Sequence, residues 1–260
     1  MKSTVGYLTM AFLPRNLPHA ICNTEDQVYP PELKQLFLIY QRNRNKRFPT
    51  HIKHDMPFEI IQSNVEGIWP QLWMLKLEEY LRLTTTDFTA IWDEDDRFPP
   101  FYTLRMIQAL EANPTKQVAW TYKNRKAKKL SFQYFRHNCP IGCTVFRTGF
   151  LRQMAKRIVT EYPKKWSDGR NHRKRQTPMP TPNNPTRMNC GALDNQMCIR
   201  IIGEHPDKIL VADPVAVEME VIVNGYGARY FEMPTGYKTY IQHAEQYSVQ
   251  KNPEEDIDNV

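Results

Sequence analysis

Short apolar runs of strand length alternate with helix-like segments along the first half of the chain. The runs at residues 5–10, 35–40, 58–61 and 88–92 predict four strands. Apolar residues at helical spacing predict helices at 68–83 and 101–110, and a short helix is expected near 19–21. Strands that alternate with helices indicate an α/β fold with a mainly parallel, Rossmann-like sheet flanked by helices.

The second half of the chain changes character. Residues 118–122 and 130–135 predict a hairpin, and further strands are predicted at 141–146, 209–211 and 216–223, so we expect a smaller antiparallel portion here. A helix is predicted at 149–161 with Thr148 as its N-cap, and a short helix within 191–202. Residues 162–190 have no helical or strand period and contain five prolines, which predicts a long mobile loop. The acidic tail at 251–260 is predicted to be disordered.

An acidic run directly follows the predicted strand at 88–92. Asp93, Glu94, Asp95 and Asp96 are consecutive, and two prolines at 99–100 stop any continuation of the strand. Ligands of open α/β sheets bind at the carboxyl ends of the strands. Clustered carboxylates repel one another unless a cation lies among them, and hard oxygen ligands suit Mg²⁺ or Mn²⁺. The acidic run therefore predicts a metal site that carries nucleotide phosphates, with a solvated acidic turn as the alternative.

Composition narrows the class of protein. A hydrophobic content of 41% in 260 residues indicates a globular protein with a substantial core. No apolar run approaches the roughly 20 residues of a membrane span, and the N-terminus lacks the features of a secretory signal. Five unevenly spaced cysteines suit reduced thiols, so we expect a cytoplasmic protein. Neither the glycine motif of dinucleotide folds nor the P-loop motif occurs, which disfavours both classes.

Positive charge is concentrated in one segment. The net charge is +7, and residues 162–190 alone hold seven Lys or Arg against one acid, a balance of +6. Two smaller basic clusters lie at 42–47 and 123–129. Basic clusters of this density are typical of proteins that bind a polyanion such as nucleic acid. Ordinary solvated faces remain the alternative for the two smaller clusters.

Three motifs in order give the chain a family resemblance. They are Trp-Asp-x-Asp-Asp-Arg-Phe-x-Pro at 92–100, Gly-x-x-x-Phe-Arg at 142–147, and Leu-Asp-Asn-Gln at 193–196 before a predicted helix. The set resembles the GT-A fold nucleotide-sugar glycosyltransferases and is most similar to their large inverting, family 2-like group. The resemblance runs from about residue 5 to about 223. It implies one catalytic domain over 1–250, with a nucleotide-sugar-binding half at 1–115 and an acceptor-binding half at 116–250.

The resemblance also implies roles for individual residues. Asp93, Asp95 and Asp96 would bind Mn²⁺ or Mg²⁺, with Asp93 also near the ribose, and Asp194 would be the general base of an inverting transfer. An N-cap is the alternative for Asp194. The residues expected around the nucleotide sugar are Thr9, Arg15, Gln41, Asn64, Trp69 and Asp93. Gln41 stands where the family commonly has an acid, which leaves the base open, although a UDP-sugar is the expected donor.

The acceptor is left open by the sequence. Lys164, Lys165, Arg170, Arg173, Lys174 and Arg175 precede Asp194 and would contact a polyanionic acceptor. DNA that bears a hydroxymethylated base, as in a phage-type DNA-modifying member, is one such acceptor, and a phosphorylated glycan is another. A non-catalytic nucleic-acid-binding protein is the alternative from a different class. His205 and His243 are candidates for a third metal ligand, and zinc at Cys139 and Cys143 is a weaker hypothesis.

Overall fold

The computed structural model describes residues 2–11, 17–41, 52, 56–66, 72–92, 98, 100–121, 142, 144–167 and 204–212. Within these ranges the elements are β1 Val5–Ala11, α1 Leu17–Glu25, β2 Lys34–Gln41, β3 Glu59–Val65, α2 Leu72–Leu83, β4 Phe88–Trp92, α3 Tyr102–Glu111, β5 Val118–Trp120, β6 Thr144–Arg147, α4 Thr148–Ser167 and β7 Ile209–Val211. Two short 3₁₀ helices, Pro31–Leu33 and Pro206–Lys208, precede β2 and β7.

The described strands form one sheet of seven strands in the order β3-β2-β1-β4-β6-β5-β7. β1 pairs in parallel with β2 and β4, and β2 pairs in parallel with β3. β6 is antiparallel to both β4 and β5, while β5 and β7 are parallel. Six of these strands therefore run in one direction and β6 alone opposes them. This confirms the predicted α/β class, a mainly parallel sheet with a smaller antiparallel portion in the C-terminal half.

Helices cover both faces of the sheet. Side chains alternate between the two faces along each strand, so each strand contributes to the packing on both sides. The face that carries Tyr7 and Trp92 packs against α1 and α3, as shown by ring contacts from Trp92 through Phe98 to Tyr102. The opposite face packs against α2 and α4, where Tyr80 of α2 meets Phe37 edge-on at 4.8 Å. Among the described helices, none combines the length and the apolar character that a membrane span requires.

Most predicted elements that fall within the described residues are present. The predicted loop is wrong for its first six residues, since α4 continues to Ser167 and takes in Lys164 and Lys165. Lysine has a high helix propensity, and positive charge near a helix C-terminus is favourable, whereas the proline at 163 is unfavourable within a helix. The predicted strands at 130–135 and 216–223, the helix within 191–202 and the acidic tail lie outside the described residues.

A buried hydroxyl network joins α2, β4 and α4. The hydroxyls of Tyr80 and Thr89 are hydrogen-bonded at 2.7 Å, and those of Thr89 and Thr148 at 2.9 Å. Thr148, which is predicted as the N-cap, is the first residue of α4, where its hydroxyl is hydrogen-bonded to Thr89 of the sheet. Burial raises the pKa of the Tyr80 hydroxyl, so it stays neutral and serves only in hydrogen bonding.

Gly6 provides the space that this network needs. A Cβ at residue 6 would lie 2.5 Å from the Tyr80 hydroxyl oxygen and 2.8 Å from the Thr86 hydroxyl oxygen. We expect Gly6→Ala to lower the free energy of unfolding by about 1–3 kcal/mol through overpacking. Urea denaturation would measure this loss.

The matched control is Gly149→Ala in α4, where a Cβ meets nothing within 4 Å. Because alanine is the better helix former, that variant should gain up to about 1 kcal/mol. Equal stability of the two variants would contradict the packing argument.

Candidate functional site

The candidate site lies where β1 and β4 end side by side. In the order β3-β2-β1-β4 the chain first adds strands on one side of β1 and then returns to its other side, which makes the gap between β1 and β4 a topological switch point. Thr9 is the partner of Trp92 in the register of these strands. β4 ends at Trp92, so the acidic run begins at the next residue in the sequence. The carboxyl ends of two adjacent parallel strands thus define the edge to which the acidic run is attached.

A chain of aromatic rings supports this edge on the α1/α3 face. The rings of Tyr7 and Trp92 lie 4.5 Å apart, Trp92 and Phe98 are stacked at 4.8 Å with an interplanar angle of 11°, and Phe98 and Tyr102 lie 4.9 Å apart. Trp92 and Phe98 are the residues on either side of the segment 93–97. Their stacking holds the two ends of that segment together inside the core.

Two amide side chains, of Asn23 in α1 and of Gln27 two residues after its end, hold the chain just after the acidic run. The Phe98 N–H donates to the side-chain oxygen of Asn23 at 3.0 Å. The side-chain oxygen of Gln27 accepts from both the N–H and the hydroxyl of Thr103, at 3.1 and 2.9 Å. Asn23 is 1% exposed and Gln27 2% exposed, so these hydrogen bonds are shielded from water. We call Asn23 and Gln27 the α1 clamp.

Lys34 fixes the C-terminal end of α1. Its ammonium group donates to the backbone carbonyls of Thr24, Glu25 and Gln27 at 3.0, 3.3 and 3.2 Å. A cation at this end of a helix also interacts favourably with the helix dipole. Burial lowers the pKa of Lys34, although the nearby carboxylates of Glu25 and Asp26 oppose this shift. The residue that begins β2 thereby fixes both the end of α1 and the backbone of Gln27.

Two buried polar atoms lie at the switch point. The Thr9 hydroxyl and the Trp92 indole N–H have no hydrogen-bond partner within the described part of the chain. Both residues are on the face that carries Tyr7, because Thr9 and Trp92 are register partners and Tyr7 is two residues before Thr9. Buried polar groups are normally hydrogen-bonded. Both side chains are fully buried, at 0% and 1% exposed, so these two groups are enclosed between the sheet and the α1/α3 face.

The structure spreads the other described nucleotide candidates along the same edge. Asn64 is exposed in β3, and Gln41 is the last residue of β2. Adjacent strands lie about 4.8 Å apart, so β3 is about 14 Å from β4 and β2 is about 10 Å from it. Asn64 is therefore not brought next to the acidic run. The candidates outside the described residues are Arg15, Trp69, Asp93, Asp95, Asp96, Asp194, Arg170, Arg173, Lys174 and Arg175, and the side chains of Lys164 and Lys165 are likewise not described.

His205 lies away from the switch point. Its Nε2 is 3.0 Å from a guanidinium nitrogen of Arg157, whose other terminal nitrogen donates to Glu204 at 3.1 Å. Because arginine only donates, Nε2 accepts this hydrogen bond and is occupied. Within the described ranges no three His, Cys, Asp or Glu residues form a cluster that could hold a metal ion. His243, Cys139 and Cys143 lie outside those ranges.

Sequence reasoning missed the α1 clamp and Lys34. Polar residues on a short helix and at the start of a strand normally predict a solvated surface, and only the structure shows that these three are buried. Helical spacing gives no signal for this pair, because Gln27 lies two residues beyond the end of α1.

Comparisons with known proteins give a weak structural likeness. No protein-family model matches the chain, and no curated protein sequence matches it. The crystal structure of Staphylococcus aureus TarS is similar with a TM-score of 0.39 and 12% identity, covering 58% of this chain and 29% of that chain. TarS 1-349 in complex with UDP-GlcNAc gives a TM-score of 0.41 and 11% identity, covering 58% and 47%. The chain thus spans less than half the length of these structures.

Proposed function

We propose that the chain is a nucleotide-sugar glycosyltransferase that moves a sugar from a nucleotide-diphosphate donor, with a UDP-sugar as the expected donor, to an acceptor hydroxyl. The observation that carries this proposal is the end of buried β4 beside β1 at a topological switch point, with the acidic run following at once. This is the position at which an open α/β sheet binds phosphorylated ligands.

The donor set of the acidic run suits a hard cation. It consists of carboxylates alone, and its attachment to a buried strand end limits how far it extends from the sheet. Asp95, with Asp93 and Asp96, would hold Mn²⁺ or Mg²⁺. Such a cation, when bound, offsets the charge that develops on the departing diphosphate.

The remaining nucleotide contacts fit an elongated ligand along the sheet edge. Asn64 and the acidic run are separated by three strand spacings, about 14 Å, and a nucleotide-diphosphate sugar is long enough to extend across several strands. In this proposal Thr9 contributes its hydroxyl beside the end of β4, and Gln41 is the last residue of β2, which lies between β3 and β1. Arg15 and Trp69 belong to the segments that follow β1 and β3 in the sequence, where they would flank the phosphates and the base.

In this proposal Asp194 removes the proton from the acceptor hydroxyl. The acceptor oxygen then forms a bond to the anomeric carbon while the bond from that carbon to the diphosphate oxygen breaks. The electron pair of the broken bond leaves with the nucleotide diphosphate, and the proton remains on Asp194. Direct displacement from the opposite side inverts the configuration of the anomeric carbon.

The acceptor is proposed to be polyanionic. The support is the +6 balance of residues 162–190, which precede Asp194 in the sequence. DNA with a hydroxymethylated base fits this charge, and the base would have to leave the duplex stack to react. A phosphorylated glycan fits the charge equally. A non-catalytic nucleic-acid-binding protein would bind DNA without cleaving a nucleotide sugar, so metal-dependent hydrolysis of a UDP-sugar separates the two classes.

Asp95→Asn tests the metal site. We expect the variant to lose transfer or donor hydrolysis while keeping its fold, because the change removes a ligand charge and also relieves repulsion among the carboxylates. Sugar release from UDP-sugars with Mn²⁺ would measure activity, and urea denaturation would measure the fold. Glu78→Gln, an exposed acid on α2, is the charge-matched control and should keep full activity. Full activity of Asp95→Asn, or of the wild type in EDTA, would refute the metal role.

Asp194→Asn tests the general base. Turnover should fall roughly 10²–10⁴-fold while UDP binding stays nearly unchanged, since the base acts on the acceptor. If Asp194 is only an N-cap, stability should fall by about 1 kcal/mol and the folded enzyme should keep its turnover. The anomeric configuration of the product, read by NMR, provides a second check. Retention of configuration would remove Asp194 from this role.

Neutralising Arg173, Lys174 and Arg175 together tests the acceptor. We expect weaker acceptor binding with unchanged UDP binding. With DNA as the probe, the logarithm of affinity should fall linearly with the logarithm of salt concentration, and the triple variant should have a shallower slope. The matched control neutralises Lys126, Lys128 and Lys129, which removes the same charge from another basic cluster. Equal DNA binding by wild type and triple variant at low salt would exclude DNA as the acceptor.

A further inference from the structure

The ends of α1 and α3 are capped by residues from other parts of the chain. The nine residues of α1 include no basic residue in the last turn, and α3 has neither a side-chain cap at its start nor a basic residue in its last turn. Helices this short are marginal on their own, so they depend on contacts with other elements. Lys34 caps the end of α1, Gln27 the start of α3, and Arg147 the end of α3.

Gln27 links the end of α1 to the start of α3. Its backbone carbonyl accepts from the Lys34 ammonium at 3.2 Å, and its side-chain oxygen accepts from the N–H and the hydroxyl of Thr103. Lys34 is 4% exposed and begins β2, a strand that is paired on both sides. The sheet therefore fixes Lys34, Lys34 fixes the backbone of Gln27, and Gln27 fixes the first turn of α3.

Two further hydrogen bonds run beside this link. The Val28 N–H donates to the Pro100 carbonyl at 2.7 Å, and the Phe98 N–H donates to the side chain of Asn23 at 3.0 Å. We call residues 23–28, 98 and 100–103 the α1/α3 junction. Because a buried polar group that loses its partner is costly, the hydrogen bonds of the junction support one another, and we expect them to break together.

The other end of α3 is held separately. Arg147 in β6 donates to the carbonyls of Leu110 and Lys116 at 2.8 and 3.0 Å, and its guanidinium lies 5.3 Å from the centre of the Phe88 ring. These contacts involve β6 and β4, whereas the junction is fixed from β2. The two ends of α3 therefore have different supports.

The α1/α3 junction covers the indole ring of Trp92. Phe98 is stacked on that ring at 4.8 Å, and Trp92 is 1% exposed. The indole N–H has no hydrogen-bond partner within the described part of the chain, so its exchange with solvent is governed by the access of water. Displacement of Phe98 would uncover one face of the ring. Trp120 is also buried, but the strand register places it on the opposite face of the sheet.

We propose that Lys34 anchors one cooperative opening unit. When its ammonium leaves the end of α1, the α1/α3 junction detaches as a whole and uncovers Trp92, while the C-terminal end of α3 stays bound to Arg147. Folded proteins open locally in contiguous units of this kind, at a lower free energy than global unfolding. The proposal concerns the conformational behaviour of the α1/α3 face and is independent of sugar transfer.

Native-state hydrogen exchange of the full chain, followed by NMR, tests the anchor. Lys34→Met removes the ammonium and keeps an unbranched side chain, so three backbone carbonyls lose their donor. We expect the protection factors of the Val28, Phe98 and Thr103 amides to fall by one common factor, on the order of 10–100, because a single opening equilibrium governs all three.

Two comparisons locate the effect. The indole N–H of Trp92 should exchange faster in Lys34→Met, whereas that of Trp120 should keep its wild-type rate. Arg147→Met is the matched control, because it removes a cation from the other end of α3. It should reduce the protection of the Asn113 amide, which donates to the Leu110 carbonyl, and leave the junction amides as protected as in the wild type.

Several results would overturn the proposal. Unchanged protection in Lys34→Met, or unequal factors at Val28, Phe98 and Thr103, would show that Lys34 does not anchor a single unit. Equal acceleration of the Trp120 indole N–H would show that Lys34 acts on the whole fold. Loss of junction protection in Arg147→Met would show that the two ends of α3 open together.

If Lys34→Met does not fold, Thr103→Val decides. This variant removes only the hydroxyl bound to Gln27. In a cooperative unit it should reduce the protection of Val28 and Phe98, which it leaves unaltered, as much as that of residue 103 itself. Thr103→Ser keeps a hydroxyl and should be protected like the wild type. A loss of protection confined to residue 103 would overturn the proposal.

Discussion

Strand β4 lies inside the sheet between β1 and β6, all five of its side chains are buried, and helices pack on both of its faces. A strand in this position cannot continue into four acids, because burying ionised carboxylates without partners costs far more than the strand gains from pairing. The boundary at Trp92 is therefore a consequence of desolvation. It lies at the carboxyl edge of the sheet, beside the end of β1, and the candidate site is built around it.

The stack of Trp92 and Phe98 complements this boundary. Phe98, six residues after Trp92, is buried on the α1/α3 face, and α3 begins four residues later at Tyr102. Backbone polar groups that are buried with Phe98 and Thr103 need partners, which Asn23 and Gln27 supply. The opposite face meets the same requirement differently, with hydroxyls of Tyr80, Thr89 and Thr148 that satisfy one another. Two polar networks of different chemistry thus lie on the two faces of the sheet.

The elements of the fold follow from local pattern, whereas their arrangement does not. Continuous apolar runs such as 35–40 identify buried strands because both faces of a parallel sheet are covered. The insertion of β6 between β4 and β5 depends on tertiary contacts and cannot be predicted from the local sequence. A four-residue apolar strand has the same sequence pattern in either direction. The acidic run could be predicted at a strand end from desolvation alone. The α1 clamp could not, because Asn23, Gln27 and Lys34 are polar residues whose burial depends on contacts far along the chain.

Only β6 is reversed among the described strands, so strands from both halves of the chain end at the same edge of the sheet. β6 starts at Thr144 on the carboxyl edge, paired with Ile91 and Trp120, and ends at Arg147 on the opposite edge. Because β6 alone is reversed, β4 and β5 point the same way with one strand between them, about 10 Å apart. The ends of β4, β5 and β7 therefore face the same edge as those of β1, β2 and β3. Segments that follow these six strands, from either half of the chain, therefore begin at the edge of the sheet at which β4 ends.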